Sequence, residues 1–350
     1  MPKYEFAIIG AGPAGAAYAY FATNNSYRVV VYDHTTPGEK PCGWAVPIQI
    51  EKYIKIPQSA ILTKIKSFSV YIDDELAHRY EHRLWGYIIN KPLFLKELLE
   101  GVDFKKKYVD VRKDEVKAEK LILATGSVAT KLKEEHLLAI QQIIKVRENL
   151  DEEHIEVWFS SDMIGYYWVF PRTNNTLDIG VGGLVNYLEL EKRLKRFIKK
   201  RYKEYEILTP IRGAYINISG ADIEKIEQDV PVIGEAAGFV YPLTGEGIRP
   251  AIASAYALYH KHVYNMDIKK QLGNVARWIE IQRKILEVIK KSNYQKRAEV
   301  IKKLPTDVFV KLGLGELRLP DIVKNLHKLP LTIVPILKMY LGVKRENETE

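Results

Sequence analysis

The first 33 residues show two kinds of apolar pattern. Residues 4–9 (YEFAII) and 28–33 (RVVVYD) are short, almost continuous apolar runs, which are typical of buried strands. Between them, residues 10–25 carry glycines followed by small residues, which predicts a tight turn and a closely packed helix. The strand–helix–strand order predicts a βαβ unit, the start of a parallel sheet.

The pattern changes further along the chain. Strand-like stretches, with a turn expected near Asp73 and Asp74, are separated from amphipathic helices, and the last quarter is helical with breaks at prolines. The predicted strands lie in residues 67–89, 120–127, 155–183 and the start of 231–260; the predicted helices lie in 91–101, 190–202 and the end of 231–260; the predicted breaks are Pro305, Pro320, Pro330 and Pro335.

Composition narrows the class of protein. The 350 residues include a single cysteine, Cys42, which excludes a disulfide within the chain and a cysteine-ligated metal cluster. The first ten residues lack the pattern of a signal peptide, and we find no run of about 18 uncharged apolar residues. We therefore expect a cytoplasmic protein, and abundant lysine with scarce Cys and Met is typical of thermophiles.

The net charge of +9 is concentrated at one end of the chain. Residues 256–350 hold 19 Lys/Arg and 10 Asp/Glu, whereas residues 1–255 hold 34 of each. The excess is explained either by a solvated helical surface or by attraction to an anionic partner such as lipid headgroups. We expect no nucleic-acid partner, because no basic stripe is interleaved with aromatic residues. We expect no metal site.

A dinucleotide fingerprint follows the first strand. Gly10, Gly12 and Gly15 form G-x-G-x-x-G at the turn into the first helix, and Asp33 ends the second strand 18 residues later. In this arrangement glycines permit the turn, close approach to a pyrophosphate and close packing, while the carboxylate accepts bonds from ribose. The predicted contacts are Gly10, Gly12, Pro13, Ala14, Gly15 and Asp33.

Two further motifs indicate which dinucleotide binds. "ATGS" (124–127) and "GEAAGFVYPLTGEGI" (234–248) resemble the signature of flavoproteins of the glutathione-reductase and p-hydroxybenzoate-hydroxylase type, which implies FAD. The signature's usual aspartate is Glu235 in this chain, and Lys91 stands where many relatives carry arginine. The FAD contacts implied by the resemblance are Lys91, Ala124, Thr125, Gly126, Gly234, Glu235, Pro242, Gly245, Gly247 and Ile248, with Cys42 and Gly43.

A third motif narrows the family. Residues 165–183 contain Tyr166-x-Trp168-x-Phe170-Pro171, eight residues, and Gly180-x-Gly182, which resembles the YxWxFPx8GxG motif of the geranylgeranyl reductase family. The "KPCGW" stretch, residues 40–44, also resembles that family. The resemblance implies a FAD-dependent oxidoreductase that hydrogenates isolated C=C bonds of geranylgeranyl chains in archaeal-type lipids or prenyl diphosphates. The implied substrate contacts are Tyr166, Trp168, Phe170, Pro171, Gly180 and Gly182.

The alternating aromatic residues suggest how such a reaction proceeds. Tyr166, Trp168 and Phe170 share one face of a strand, as either an ordinary core stripe or a wall for a long apolar chain. Protonation of one alkene carbon and hydride delivery from reduced flavin to the other would create positive charge that aromatic faces stabilise. We therefore regard Cys42, Tyr166 and Trp168 as the candidate catalytic residues.

Cys42 has two interpretations. A free cysteine is often a small buried hydrophobic side chain. Alternatively, it lies near the flavin as a proton donor or as part of the substrate channel, where Gly43 allows close approach to the ring and Lys40 favours the thiolate.

The motifs predict an α/β fold with three parts. A discontinuous Rossmann-type FAD-binding domain of glutathione-reductase and p-hydroxybenzoate-hydroxylase type holds an inserted antiparallel-sheet substrate domain and precedes a C-terminal helical region. The predicted boundaries are 1–66, 90–140 and 205–255 for the FAD domain, 67–89 and 141–204 for the sheet domain, and 256–350 for the helices.

Partners follow from this prediction. The substrate is an isoprenoid lipid, and the external electron donor is either NAD(P)H bound transiently or a ferredoxin-like protein. The basic C-terminal helices, which include the apolar stretch 329–342, either dock on the inner face of a membrane or pack in the core.

Two other functions fit the same fold. One is a flavin-dependent monooxygenase or halogenase, whose W-x-W-x-I-P motif the chain partly matches. The other is a non-catalytic electron-transfer or lipid-binding flavoprotein.

Overall fold

The computed structural model describes residues 3–127, 135–325 and 327. Its strands are β1 (Tyr4–Ile9), β2 (Val29–Asp33), β3 (Ala45–Pro47), β4 (Ile61–Ile72), β5 (Glu75–Ile89), β6 (Asp103–Lys106), β7 (Ala118–Leu123), β8 (His136–Val146), β9 (His154–Phe159), β10 (Gly165–Arg172), β11 (Thr176–Gly183), β12 (Tyr205–Ile207) and β13 (Arg212–Asn217). Its α-helices are α1 (Pro13–Thr23), α2 (Lys91–Leu98), α3 (Tyr187–Arg201), α4 (Ile248–Tyr264), α5 (Ile268–Lys291), α6 (Tyr294–Lys303), α7 (Thr306–Leu314) and α8 (Leu319–Asn325).

A parallel sheet forms around the predicted βαβ unit. Within the described residues its strand order is β6-β2-β1-β7. Helix α1 packs between this sheet and α4, and its small side chains, such as Ala16 and Ala17, are fully buried and permit the close approach. The strand predicted near residue 231 is present only as a bridge between Val232 and Leu123.

A larger sheet packs beside the parallel one. The described strands run in the order β12-β8-β11-β10-β9-β4-β5-β3, and β13 also pairs with β8. Neighbours are antiparallel except β4 and β9, which are parallel. The β4–β5 hairpin turns at Asp73 and Asp74, which have φ angles of 49° and 70°, the left-handed pair that two-residue hairpins prefer. Helix α3 covers one face of this sheet.

The large sheet extends past the predicted domain boundaries. It takes in β3, the start of β4, the start of β8, and both β12 and β13, which lie in ranges predicted for the FAD domain. β12 is exposed at all three positions, so its sequence shows no apolar face from which the pairing could be predicted.

The elements after α4 in the described chain are all helices. Pro305 directly precedes α7, and Pro320 lies in the first turn of α8, positions where a missing N–H is tolerated. Pro330, Pro335 and the stretch 329–342 lie outside the described residues. Among the described helices, none combines the length and the apolar character needed to cross a membrane.

Candidate active site

A continuous cavity of about 1240 Å³ connects the two sheets. The carboxyl ends of β1, β2 and β7 border one part of it, as expected for a ligand site in an α/β fold. The inner face of the large sheet and helices α5, α6 and α7 enclose the rest. The cavity therefore joins a nucleotide-type site to a largely apolar chamber.

The glycine turn has the geometry that its motif predicts. Gly10 has a φ of +109°, and a Cβ atom there would lie 2.2 Å from the carbonyl oxygen of Ala124. A Cβ on Gly15 would lie 1.9 Å from the carbonyl oxygen of Gly10, whereas a Cβ on Gly12 would meet nothing within 4 Å. Gly10 and Gly15 thus permit close packing, and Gly12 leaves open space where a phosphate group can approach.

The N-termini of two helices face the cavity, and a glycine precedes each helix. Gly12 precedes α1 and Gly247 precedes α4, and within the described chain no side chain caps either helix. Helices α3, α5 and α6, by contrast, are each capped by an Asn or Asp side chain. The N–H groups at the start of α1 and α4 are therefore available to an anionic ligand or an electron-rich ring.

Asp33 links the turn to the end of β2. Its Oδ2 accepts a hydrogen bond from the Ala11 N–H at 2.7 Å, and its Oδ1 accepts from the N–H and hydroxyl of Thr35 at 2.8 Å. The carboxylate lines the cavity, and its remaining lone pairs can accept bonds from ribose hydroxyls. These features fit the dinucleotide FAD.

Glu235 lies at the centre of a polar cluster beside this site. Its Oε2 accepts from Lys40 Nζ at 2.6 Å, and its Oε1 accepts from the N–H of Asn217 at 3.1 Å. Lys40 also donates to the hydroxyl of Ser127 at 3.1 Å. Lys40 is thus paired with Glu235 instead of the Cys42 thiol, and Lys91 is the other lysine that lines the cavity near the loop that carries Cys42.

Lys91 lies at the start of α2. Its side chain is only 4% exposed and donates to the carbonyl oxygen of Lys40 at 2.5 Å. Burial lowers the pKa of Lys91 below its ordinary value of 10.5, and the neighbouring Cys42 acts in the opposite direction. Lys91 and the chain's single thiol therefore line the same cavity, close enough for their charges to interact.

The loop that carries Cys42 is tightly held. The Cys42 Sγ accepts from the Trp44 N–H at 3.5 Å, and Trp44 has a φ of +63°, which is a strained conformation for a bulky residue. The guanidinium of Arg172 stacks 3.7 Å above the Trp44 ring. A Cβ on Gly43 would lie 2.8 Å from the Phe170 ring, so this glycine is required for packing against Phe170.

The three alternating aromatic residues form a wall of the cavity. Tyr166, Trp168 and Phe170 all line it, with successive ring centroids 6.3 Å apart. Phe159 continues the series, 5.7 Å from Tyr166 and 6.3 Å from Phe309 of α7. Tyr166 also donates from its hydroxyl to the carbonyl oxygen of Thr244, in the loop before α4. The wall therefore runs from the Cys42 loop to the C-terminal helices.

The motif's two glycines lie opposite this wall on β11. Trp168 pairs with Gly180, and Tyr166 pairs with Gly182. A Cβ on Gly180 would lie 2.0 Å from the Trp168 indole, whereas a Cβ on Gly182 would meet Ala139 at 3.4 Å. Gly180 therefore allows the indole to lie flat on the sheet, and Gly182 has room for a methyl group.

A buried carboxylate behind the wall was missed by the sequence analysis. Asp178 is 0% exposed and accepts from Trp168 Nε1 at 3.1 Å and from Arg172 Nη2 at 2.5 Å. Gln141 Nε2 also donates to it, at 3.1 Å. The sequence signal for Asp178 was its position on the strand, because it shares a face with Gly180 of the family motif. In the structure Asp178 also pairs with Phe170. Asp178 connects the wall to the Arg172 that holds Trp44.

Replacing Gly180 with alanine is expected to lower turnover about tenfold and to destabilise the protein by about 1–3 kcal/mol, the usual effect of overpacking. The new methyl would force Trp168 away from Asp178. Turnover and the free energy of unfolding check this, with Gly182→Ala as the matched control, which should change turnover by less than about threefold. Equal effects from the two variants would contradict the wall geometry.

The structure brings most of the predicted contacts to the cavity and leaves three away from it. Gly15 supports the turn, Gly180 lies beneath Trp168, and Pro171 is buried on the opposite face of β10. The predicted residues that line the cavity are Gly10, Gly12, Pro13, Ala14, Asp33, Cys42, Gly43, Lys91, Ala124, Thr125, Gly126, Tyr166, Trp168, Phe170, Gly182, Gly234, Glu235, Pro242, Gly245, Gly247 and Ile248.

Comparisons with known proteins indicate the class of enzyme. The family model for pyridine nucleotide-disulphide oxidoreductases matches residues 4–157, and the model for the geranylgeranyl reductase catalytic domain matches residues 136–215. Digeranylgeranylglycerophospholipid reductase of Methanosarcina acetivorans is 24% identical over 295 residues, 71% of this chain and 72% of that protein. The Thermoplasma volcanium protein of the same name is 22% identical over 302 residues, 73% of this chain and 76% of the relative.

A solved structure has the same fold. The geranylgeranyl bacteriochlorophyll reductase-like protein of Thermoplasma acidophilum aligns with a TM-score of 0.74 at 20% identity, covering 93% of this chain and 99% of that one. The fingerprint turn, the glycine-capped helices and the Asp33 carboxylate fit FAD, and the aromatic wall carries the family motif. The chain is a FAD-dependent oxidoreductase that carries a geranylgeranyl reductase catalytic domain and is similar to the geranylgeranyl reductases.

Proposed function

We propose that this protein hydrogenates isolated C=C bonds of geranylgeranyl chains carried by isoprenoid lipids or prenyl diphosphates. The observation that carries the proposal is the continuity of the cavity, in which the aromatic wall leads from the dinucleotide-binding residues into an apolar chamber. A long, flexible, apolar substrate needs such a chamber, because burial of its methylene groups supplies most of its binding free energy. The relatives named digeranylgeranylglycerophospholipid reductase support the same substrate class.

FAD would be held by the glycine turn, Asp33 and the loop before α4, and in its reduced form it would supply a hydride for an alkene carbon. The chain's own residues position the alkene and manage the proton. The apolar chamber excludes water, which would otherwise capture a developing carbocation. Trp168 and Phe170 line the cavity, where aromatic rings can stabilise positive charge.

Cys42 is the proton donor in this proposal. Its thiol lines the cavity and belongs to the loop that packs on Phe170 and Trp168. Cys42 would give this proton to one alkene carbon while a hydride is added to the other, so each C=C bond would gain two hydrogens. Cys42 would then regain a proton from solvent, and Lys91 is the buried cation whose charge interacts with it in the meantime.

The test is a single-turnover reaction without oxygen. The FAD-loaded enzyme is reduced with dithionite, mixed with geranylgeranyl diphosphate or with a digeranylgeranylglyceryl phospholipid, and the products are analysed by mass spectrometry. We expect a mass gain of two hydrogens per reduced bond. Unchanged substrate from an enzyme whose flavin is bound and reducible would contradict the proposal. Repeating the reaction in air with NAD(P)H would then reveal hydroxylated or halogenated products.

A further inference from the structure

The end of the cavity formed by α5, α6 and α7 carries two cations in an otherwise uncharged lining. Its residues from these helices are almost all apolar, including Ile285, Val300 and Phe309, and the charged ones are Lys296 and Arg297 of α6. Lys296 is exposed and Arg297 is half-buried. The two side chains therefore lie where the apolar chamber meets solvent.

The ion pairs of α6 separate its four cations into two kinds. Lys302 pairs with Glu75 at 2.6 Å, and Lys303 pairs with Glu299. Lys296 and Arg297 form no ion pair with any carboxylate in the described part of the chain. Arg297 is instead positioned by donation from Nε to the carbonyl oxygen of Ser292 at 3.0 Å. The pair that borders the cavity thus remains available to an external anion.

We propose that Lys296 and Arg297 bind the phosphate-bearing headgroup of the prenyl substrate, which deepens the proposed function and rests on it. A prenyl chain lying along the wall from Trp168 to Phe309 reaches α6, because Phe309, Ile301 and Arg297 line the same continuous cavity. An anionic headgroup at this end stays in contact with water while its tail fills the chamber. Arginine and lysine together provide the donors that phosphate oxygens accept.

Isothermal titration calorimetry on the oxidised, FAD-loaded protein tests this without turnover. The ligands are geranylgeranyl diphosphate, a detergent-solubilised digeranylgeranylglyceryl phosphate and the neutral alcohol geranylgeraniol. In the variant Lys296→Gln/Arg297→Gln, we expect the affinity for phosphorylated ligands to fall about tenfold or more, with the alcohol unchanged. The matched control is Lys302→Gln/Lys303→Gln, which removes the outward cations of the same helix and should leave all three affinities unchanged.

The outcomes separate the headgroup site from the reductase activity. A loss of affinity for only the diphosphate, or for only the glyceryl phosphate, supports the headgroup site and identifies which headgroup it binds. Unchanged affinity for both, or an equal loss for geranylgeraniol, overturns the headgroup site, whatever the turnover. The proposed function is decided separately, by whether the reduced wild-type enzyme hydrogenates any of the three ligands.

Discussion

Replacing Cys42 with serine is expected to lower prenyl-chain reduction by about 10²–10⁴-fold, the range that a positioned general acid contributes. A serine hydroxyl gives up its proton far less readily than a thiol, whose ordinary pKa is about 8.5. The substitution is otherwise conservative, because the serine oxygen can still accept the Trp44 N–H that the Cys42 Sγ accepts in the native protein. The measurement is the rate of product formation by the reduced enzyme, with the flavin absorbance spectrum confirming full FAD content.

The variant Cys42→Ala distinguishes proton donation by Cys42 from its role in holding the loop in place. Alanine removes both the acid and the acceptor for the Trp44 N–H, so it also loosens a loop that is already strained at Trp44. If the thiol is the proton donor, the serine and alanine variants lose activity to a similar extent. A serine variant with wild-type turnover and intact flavin would remove Cys42 from proton transfer, and an impaired alanine variant would then indicate a role in shaping the channel.

The features predicted correctly from the sequence are local ones. The βαβ unit is visible because buried strands and a glycine turn leave a short-range pattern, and the turn at Asp73 and Asp74 follows from residues that tolerate left-handed backbone. The shared face of Tyr166, Trp168 and Phe170 follows from strand periodicity alone. The flavoprotein motifs at 124–127 and 234–248 then supplied the cofactor and the fold class, which the two family models and the fold confirm.

The features that were missed depend on contacts between distant parts of the chain. Lys40 and Glu235 are 195 positions apart, so no pattern around Lys40 indicates that its partner is a carboxylate instead of the Cys42 thiol. The conformation of Trp44 depends on Arg172, which stacks on it from another strand. Likewise, Lys302 of α6 is distinguished from the two available cations of that helix by Glu75, on a strand more than 200 residues earlier.

Replacing Asp178 with asparagine is expected to lower the free energy of unfolding by about 3–5 kcal/mol, the cost of leaving one charge of a buried pair without its partner. Burial raises the pKa of Asp178 above its ordinary value of 3.8, and the guanidinium of Arg172 opposes that rise. The asparagine keeps the shape, but its NH₂ group would face a donor, either Arg172 or Trp168. Chemical denaturation measures the loss, and the FAD content of the purified variant reports whether the Trp44 loop is still in place.

The double variant Arg172→Met/Asp178→Asn tests the cause. If the loss comes from an unpaired buried charge, removing Arg172 as well should restore part of the stability, so that the double variant is more stable than Asp178→Asn alone. If the losses of stability from removing Arg172 and from Asp178→Asn simply add, the carboxylate acts mainly through its other donors, Trp168 Nε1 and Gln141 Nε2. In that case Trp168→Phe, which removes the indole donor together with part of the ring volume, should destabilise the protein at least as much as Asp178→Asn does. A change of less than about 0.5 kcal/mol in Asp178→Asn would instead contradict the view that this carboxylate joins the aromatic wall to the Cys42 loop.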